Sequence, residues 1–236
     1  MQIQWTSRQG RRRSNNCDAG ALAMTDTQLF AIVVDAAERG PKPQEFAAHW
    51  GQSIISQLVL FGATISPDEA YIIMRQQQIQ LRHEYLLEIG SYCLAILNVD
   101  DYNGTVMHTG DCLASIVLPN QPPQWLTRPH NLQQQPGMEA QANRHILTRS
   151  LNARRFANPH CNEFILSPGA HIELCSDGYL TEHLSEVQPL CSLEDDASLM
   201  RIKLELTPPL HLNLDSDCDN LHIDPGTFFV LDQGTQ

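Results

Sequence analysis

Apolar residues recur along the chain with two spacings, and each spacing predicts a different kind of element. The stretch LFAIVVDAA, residues 29–37, is a short apolar run that includes Asp35 near its end, as expected of a buried strand. Residues 44–60 instead repeat apolar positions at helical spacing, as at Trp50, Ile54 and Leu58. The pattern therefore predicts a strand followed by an amphipathic helix.

A second helix is indicated by its capping residues. Ser66 is suited to the N-cap, Pro67 to the first helical position, and Glu69 to the third position of a capping box. The helical pattern continues to about Leu87. We therefore expect two helices in succession after the first strong strand.

The rest of the chain predicts mostly strands, joined by turn signals. Residues 91–99 and 104–110 flank the turn signal Asn103-Gly104, which predicts a hairpin. The other predicted elements are a first strand at 2–10, strands at 111–119 and 124–128, a helical piece at 145–152, a hairpin at 163–178, a helical start at 180–187, a helix at 192–206 capped by Ser192 and Asp195, and one or two closing strands within 214–233. Strand groups accompanied by helices predict a layered α+β domain.

Composition narrows the class of protein. A chain of 236 residues fits one domain, which we place at residues 1–236. It contains no run of 18 or more apolar residues, so we expect no membrane span. A net charge of −12 argues against nonspecific binding of nucleic acid. The beginning of the sequence lacks the order of a secretory signal, and we expect a cytoplasmic protein.

The cysteines and histidines offer few signs of a metal site. Seven cysteines are scattered without a C-x-x-C pair, so we expect free thiols and no structural zinc site. His108 and His130 could ligate a metal ion, but a site rich in oxygen ligands does not require them.

Single aspartates stand where predicted strands end or turns begin. They are Asp18, Asp35, Asp111, Asp177 and Asp219. Alone, each would be read as a turn or capping residue. Together they would suit Mg²⁺ or Mn²⁺, which prefer oxygen ligands and need only a few carboxylates.

The order of the motifs around these acids identifies a family resemblance. The motifs are RSNNCDA (13–19), VVDA (33–36), GDC (110–112), LTRPH (126–130), ILTRSL (146–151), LCSDG (174–178) and DN (219–220). In this order and rough spacing, the chain resembles the PP2C (PPM) family of metal-dependent Ser/Thr protein phosphatases over essentially its full length. It is most similar to the short bacterial stand-alone members. The resemblance implies a four-layer α-β-β-α sandwich of two antiparallel sheets flanked by helices.

The resemblance also implies a set of metal ligands. Asp35 would bridge two Mn²⁺ or Mg²⁺ ions, and Asp177 and Asp219 would complete one of them. Ala36 stands at the family's glycine, whose backbone carbonyl is a ligand. Asp111 matches an acid that helps to hold a third, weaker metal in bacterial members.

Catalytic roles are implied for two further residues. Asp18 would act on a metal-bound water, and Arg13, five residues earlier, matches the family's phosphate-binding arginine. The implied activity is hydrolysis of phospho-Ser and phospho-Thr by the metal-bound water. The implied partners are phosphorylated proteins of a cognate bacterial Ser/Thr kinase, with neither nucleic acid nor membrane.

Several positions depart from the family pattern. The loop after Asp35 reads DAAERGP, where the family has Gly-x-Gly-Gly, and Ala37 replaces a general-acid histidine found in some members. Cys17 stands where Glu or Gln usually precedes Asp18, and the segment between LTRPH and LCSDG is short. The alternative function is therefore a catalytically weak regulatory relative that binds phosphoproteins or signalling partners.

Overall fold

The structure is a computed structural model and describes residues 1–62, 64–204, 210–227 and 229–231. Two α-helices lie within these residues, α1 (Pro43–Leu60) and α2 (Pro67–Gln80). The strands are β1 (Gln2–Arg8), β2 (Asp18–Met24), β3 (Gln28–Ala36), β4 (Ile89–Asn98), β5 (Asn103–Thr109), β6 (Leu113–Val117), β7 (Gln124–Trp125), β8 (Leu151–Asn152), β9 (His160–Ile165), β10 (His171–Cys175), β11 (Ala197–Lys203), β12 (Leu210–Ser216), β13 (Leu221–Ile223) and β14 (Phe229–Leu231).

These strands form two sheets that pack face to face. The first sheet has the order β14-β12-β1-β11-β10-β6-β7, and the second has the order β13-β2-β3-β4-β5-β9, with β8 also paired to β4. The predicted α+β sandwich of two sheets is confirmed. The sheets are mixed rather than wholly antiparallel, because β12 runs parallel to both β1 and β14, and β13 runs parallel to β2.

The β3 strand explains how the layers are held together. Successive side chains of a strand point to opposite faces of the sheet, so an apolar run serves two cores at once. One face of β3 packs under the helices and the other packs between the sheets; the residues are Phe30, Ile32 and Val34 in the first case, and Leu29, Ala31 and Val33 in the second.

The two outer layers differ in extent. Helices α1 and α2 cover the outside of the second sheet with Phe46, Trp50 and Met74. The outside of the first sheet is covered by the short helical turns at 179–185 and 190–192, which contribute Tyr179 and Leu190. In the part of the chain described, no helix is long and apolar enough to cross a membrane.

Most predictions based on local signals are confirmed for the first half of the chain, including the hairpin of β4 and β5. Its turn lies at 99–102, however, and Asn103 and Gly104 are paired within β5. The capping box of α2 forms as expected: the Ser66 hydroxyl accepts from the Glu69 N–H at 3.3 Å, and the Ser66 N–H donates to the Glu69 carboxylate at 2.8 Å. The helix ends at Gln80, and a 3₁₀ turn follows at 81–83, short of the predicted end at Leu87.

Three predictions in the second half are wrong, and the first two concern strands. Residues 197–203 form β11 and not a helix, because this segment pairs with β1 on one side and with β10 on the other. The last residues of the predicted helix, 205–206, lie outside the described residues. Residues 163–178 do not form a hairpin, since β9 pairs with β5 in one sheet while β10 pairs with β6 and β11 in the other.

The remaining differences are smaller. Residues 145–152 are not a helical piece: a 3₁₀ turn ends at His145, Leu147 bridges to Asn131, and β8 follows. The strand β2 has no prediction behind it, because its sequence DAGALAM consists mainly of small residues that carry little strand preference. Three closing strands are present where one or two were expected, with Phe228 outside the described residues.

Candidate metal and phosphate site

Aspartates from separate strand ends meet at one cavity of about 540 Å³. The aspartates that line it are Asp35, Asp111, Asp177, Asp195 and Asp196. They come from the end of β3, the β5–β6 connection, the turn after β10 and the segment before β11. Residues far apart in the sequence therefore supply oxygen atoms to one place.

Asp18 lies directly beside this group, buried on the first residue of β2. It is the cross-strand partner of Asp35 on β3. One carboxylate oxygen of Asp18 accepts from the Ser176 hydroxyl at 2.8 Å, and the other, Oδ1, is buried without a hydrogen-bond partner. Burial raises the pKa of Asp18 to about 8, and the nearby charge of Asp196 is the second-largest cause of this increase.

The carboxyl groups of Asp35 and Asp177 are also poised to hold protons when no cation is present. Burial raises the pKa of each well above its ordinary value. Neighbouring acids add to this effect, first Asp18 for Asp35 and first Asp111 for Asp177. A buried cluster of like charges with an unpartnered oxygen fits a hard divalent cation, because the cation can replace these protons.

A hydroxyl group fixes the carboxylate of Asp111 at the rim of the cavity. The Ser91 hydroxyl donates to Asp111 Oδ1 at 2.5 Å and accepts from the Asp111 N–H at 3.1 Å. The preceding residue, Gly110, has φ of +94°, and a Cβ there would lie 2.0 Å from Ser91 Oγ. Only glycine allows the segment at residue 110 to approach Ser91 this closely.

Asp219 does not join the other predicted metal ligands. It lies exposed in the turn between β12 and β13 and does not line the cavity. Its neighbour Asn220 is the buried residue of this pair: its side chain accepts from Trp5 Nε1 at 3.0 Å and donates to Ser7 Oγ at 2.8 Å. Asn220 thus links the turn before β13 to β1. We correct the grouping of Asp219 with Asp35 and Asp177 as metal ligands.

Asp195 lies where we expected Asp219. It lines the cavity, and its charge contributes to the raised pKa of both Asp35 and Asp177. Sequence reasoning missed it because SLEDD resembles the start of a helix. The signal that could have found it is the alternation of ASLMRIK directly after the two acids, which marks a strand.

Arg13 is held at the cavity by two acids. Its guanidinium donates to Asp195 Oδ1 through Nε at 2.7 Å and through Nη2 at 2.6 Å, and Nη1 lies 3.4 Å from Glu38 Oε2. Arg12, in contrast, has a side chain that is 74% exposed and is paired with Glu194. Residues 11–13 are three consecutive arginines. Of Arg12 and Arg13, only Arg13 reaches the cavity.

The altered loop after Asp35 forms one wall of the cavity. Ala36, Ala37, Glu38 and Arg39 all line it. The Ala36 N–H donates to the Cys17 carbonyl at 3.1 Å, which joins the end of β3 to the start of β2. A metal-ligand role for the Ala36 carbonyl stays a prediction. Glu38 is fixed by the Ser14 hydroxyl, which donates to its Oε1 at 2.6 Å.

No protein-family model matches the sequence, and no curated protein matches it. Solved structures do match the fold. The serine/threonine phosphatase of S. agalactiae superposes with a TM-score of 0.71 at 17% identity, over 86% of this chain and 99% of that one. Stp1 from Staphylococcus aureus gives 0.70 at 17% identity, over 86% and 94%. The PPM Ser-Thr phosphatase MsPP from Mycobacterium smegmatis, in complex with cacodylate, gives 0.65 at 18% identity, over 86% and 98%.

Proposed function

Because the chain has the fold of the bacterial PPM phosphatases, we propose that it is a metal-dependent protein phosphatase that hydrolyses phospho-Ser and phospho-Thr. The observation that carries this proposal is the convergence of buried and half-buried aspartates from four chain segments, together with Arg13, on one cavity. Nucleophilic catalysis by a side chain would not require so many carboxylates in one place.

The acids that would hold Mn²⁺ or Mg²⁺ are Asp35, Asp177 and Asp195, with Asp111 at the rim and the Ala36 carbonyl as a backbone ligand. Bound divalent ions lower the pKa of water and offset negative charge on phosphoryl oxygens. Asp18 would accept a proton from the attacking water once bound cations have displaced its own, since its carboxylate has a buried oxygen without a partner.

Arg13 would bind the phosphoryl group. A guanidinium matches two phosphate oxygens with parallel donors, and Arg13 already points its donors at the acid cavity. His145 lines the same cavity and could protonate the leaving serine or threonine oxygen, the role left open by Ala37. Each of these steps uses a group of this chain.

A second cavity, of about 580 Å³, favours a peptide substrate over a small phosphate ester. It shares Asp111 and Asp177 with the acid cavity, and its walls include Leu113, Trp125 and Leu180. An apolar groove that begins at the phosphate site suits side chains next to a phosphorylated residue. Phosphorylated proteins are the substrates that this arrangement favours, and the proposal includes a cognate bacterial kinase as their source.

The alternative is a regulatory relative that binds phosphoproteins and turns them over slowly. Asp195 and Glu38 support this reading, because a bound phosphate must compete with both carboxylates for Arg13. Hydrolysis of an aryl phosphate and of a phosphopeptide with Mn²⁺ separates the two functions. We expect turnover that Asp35→Asn abolishes. Phosphopeptide binding without Mn²⁺-dependent turnover would instead establish the alternative.

A further inference from the structure

Three histidines from distant parts of the chain meet outside the acid cavity. His108 on β5 is the cross-strand partner of His160 on β9, and His130 approaches both from the loop after β7. Their ring nitrogens can be chosen so that all three lie within 4.8 Å of one another. The shortest distance is 3.1 Å, between His130 Nε2 and His160 Nδ1.

The imidazole of His108 leaves one of its two nitrogens available to a ligand. The side chain is buried, and Nε2 lies 3.0 Å from the Arg128 carbonyl, which fixes the proton on that nitrogen. The lone pair of His108 is therefore on Nδ1, which is buried without a hydrogen-bond partner. A backbone carbonyl that fixes the tautomer of a metal-binding histidine is a common support for such sites.

The electrostatic setting keeps the three rings neutral at pH 7, as metal ligands must be. Burial lowers the pKa of His108 to about 4 and of His130 to about 3, and it lowers the pKa of His160 as well. Each of the three also feels the positive charge of Arg149. Neutral imidazoles with available lone pairs bind borderline metal ions well.

We propose that His108, His130 and His160 form a binding site for Zn²⁺ that is separate from the carboxylate site. Three histidines leave one position of a tetrahedral zinc open. The cluster faces a cavity of about 570 Å³ that also contains Thr148 and Arg149, so a water or a small anion can occupy that position. An anion there would offset the charge of Arg149.

Zinc binding requires a change in the protonation and the orientation of the His130 ring. Its Nδ1 accepts from the Gly110 N–H at 3.1 Å, so its proton is on Nε2, and its ring is stacked on His108 at 4.4 Å with an angle of 16°. For His130 to bind as a neutral ligand through Nε2, its proton must move to Nδ1, where it would face the Gly110 N–H, so the ring turns away from Gly110. Zinc binding therefore disturbs the residue directly before Asp111, at the rim of the acid cavity.

The test is a titration of the purified full chain with Zn²⁺ alone, in competition with a chromophoric chelator, and with Co²⁺ as a spectroscopic substitute. The site variant is His160→Gln, because His160 is exposed on its strand and its replacement leaves the core intact. The matched control is His83→Gln, an exposed histidine elsewhere. Asp35→Asn reports on binding at the carboxylates.

We expect the wild type to bind one Zn²⁺ at this site, with the visible spectrum of tetrahedral Co²⁺. His160→Gln should weaken binding at least about 10–100-fold, the loss seen when even an outer partner of a zinc ligand is removed. His83→Gln and Asp35→Asn should retain it. Absence of Zn²⁺ binding in the wild type, equal affinity in His160→Gln, or loss of the site in Asp35→Asn would overturn the proposal. None of these results depends on phosphatase activity.

Discussion

Asp18 and Asp35 lie directly opposite each other on the antiparallel strands β2 and β3. Two buried carboxyl groups in this position cannot both be ionised without a cation between or beside them. The register of β2 and β3 therefore places two carboxyl groups where a bound cation or a proton stabilises them.

This pairing makes the metal-free protein sensitive to pH. A folded-state pKa of about 8 for Asp18, raised from 3.8, means that the native state holds a proton that the unfolded chain loses. Stability from this group is present below the unfolded pKa and is lost as the pH rises through about 8. Each unit of raised pKa corresponds to about 1.4 kcal/mol, and about 1 kcal/mol shifts Tm by about 2–4 °C at this size.

We therefore expect the Tm in chelator to fall by several degrees from pH 7 to pH 9. Asp18→Asn should reduce this dependence, to which Asp35 and Asp177 also contribute, while the exposed control Asp26→Asn should keep the wild-type slope. Calorimetric scans at fixed ionic strength measure it. A wild-type slope in Asp18→Asn would contradict the assignment.

Asp195 and Asp219 provide a direct comparison between the structure and the sequence motif. Asp195→Asn should weaken Mn²⁺ binding by at least tenfold, because it removes a carboxylate charge from the cavity, at about 1.4 kcal/mol per factor of ten. Asp219→Asn should leave binding within about twofold of wild type, since an exposed charge outside the cavity is screened. Calorimetric titration with Mn²⁺ measures both, and the reverse order of effects would restore Asp219 as the ligand.

Arg13 and Arg12 differ in what they contact, so their variants should differ in kinetics. Arg13→Ala removes charged hydrogen bonds to phosphate, worth about 1.5–3 kcal/mol, and should raise KM for a phosphopeptide by about 10–100-fold. Arg12→Ala, whose partner is an exposed glutamate, should change KM less than about threefold. Steady-state kinetics at saturating Mn²⁺ measures KM for both variants. Similar KM values for the two would mean that Arg13, like Arg12, is a surface arginine that does not bind phosphate.

His145 can be tested through the leaving group. A nitrophenolate leaves without a proton, whereas a serine alkoxide needs one, and a general acid contributes about 10²–10⁴-fold. His145→Gln should therefore slow hydrolysis of a phosphoserine peptide about 100-fold or more and leave nitrophenyl phosphate hydrolysis nearly unchanged. His83→Gln serves as the control. An equal loss on both substrates would assign His145 to binding or folding instead.

The sequence predicted the part of the site that follows from local patterns. Asp35 and Asp177 each follow an apolar run, so their positions at strand ends could be read directly. Asp195 could not, because β11 is a strand only through its pairing with β1 and β10. Asp219 was misassigned since it precedes an asparagine, and the role of that asparagine depends on Trp5, more than two hundred residues away.

The same reason explains the histidine cluster. His108 and His130 could be considered as ligands from the sequence, but His160 carries no local signal. It reaches them because β9 pairs with β5 and not with β10, the strand that follows it along the chain. Register between distant strands is decided by the packing of both sheets, which short windows of sequence do not contain.

The strand β1 lies in the interior of its sheet, between β11 and β12, and both of these neighbours come from the other end of the chain. During synthesis β1 is made before both of these strands, and neither can pair with it until nearly two hundred further residues have been added. Contacts of such large sequence separation slow folding, and an unpaired strand with an apolar face invites association with other chains. We therefore expect a nascent chain of this protein to expose the apolar face of β1 until β11 and β12 have emerged from the ribosome.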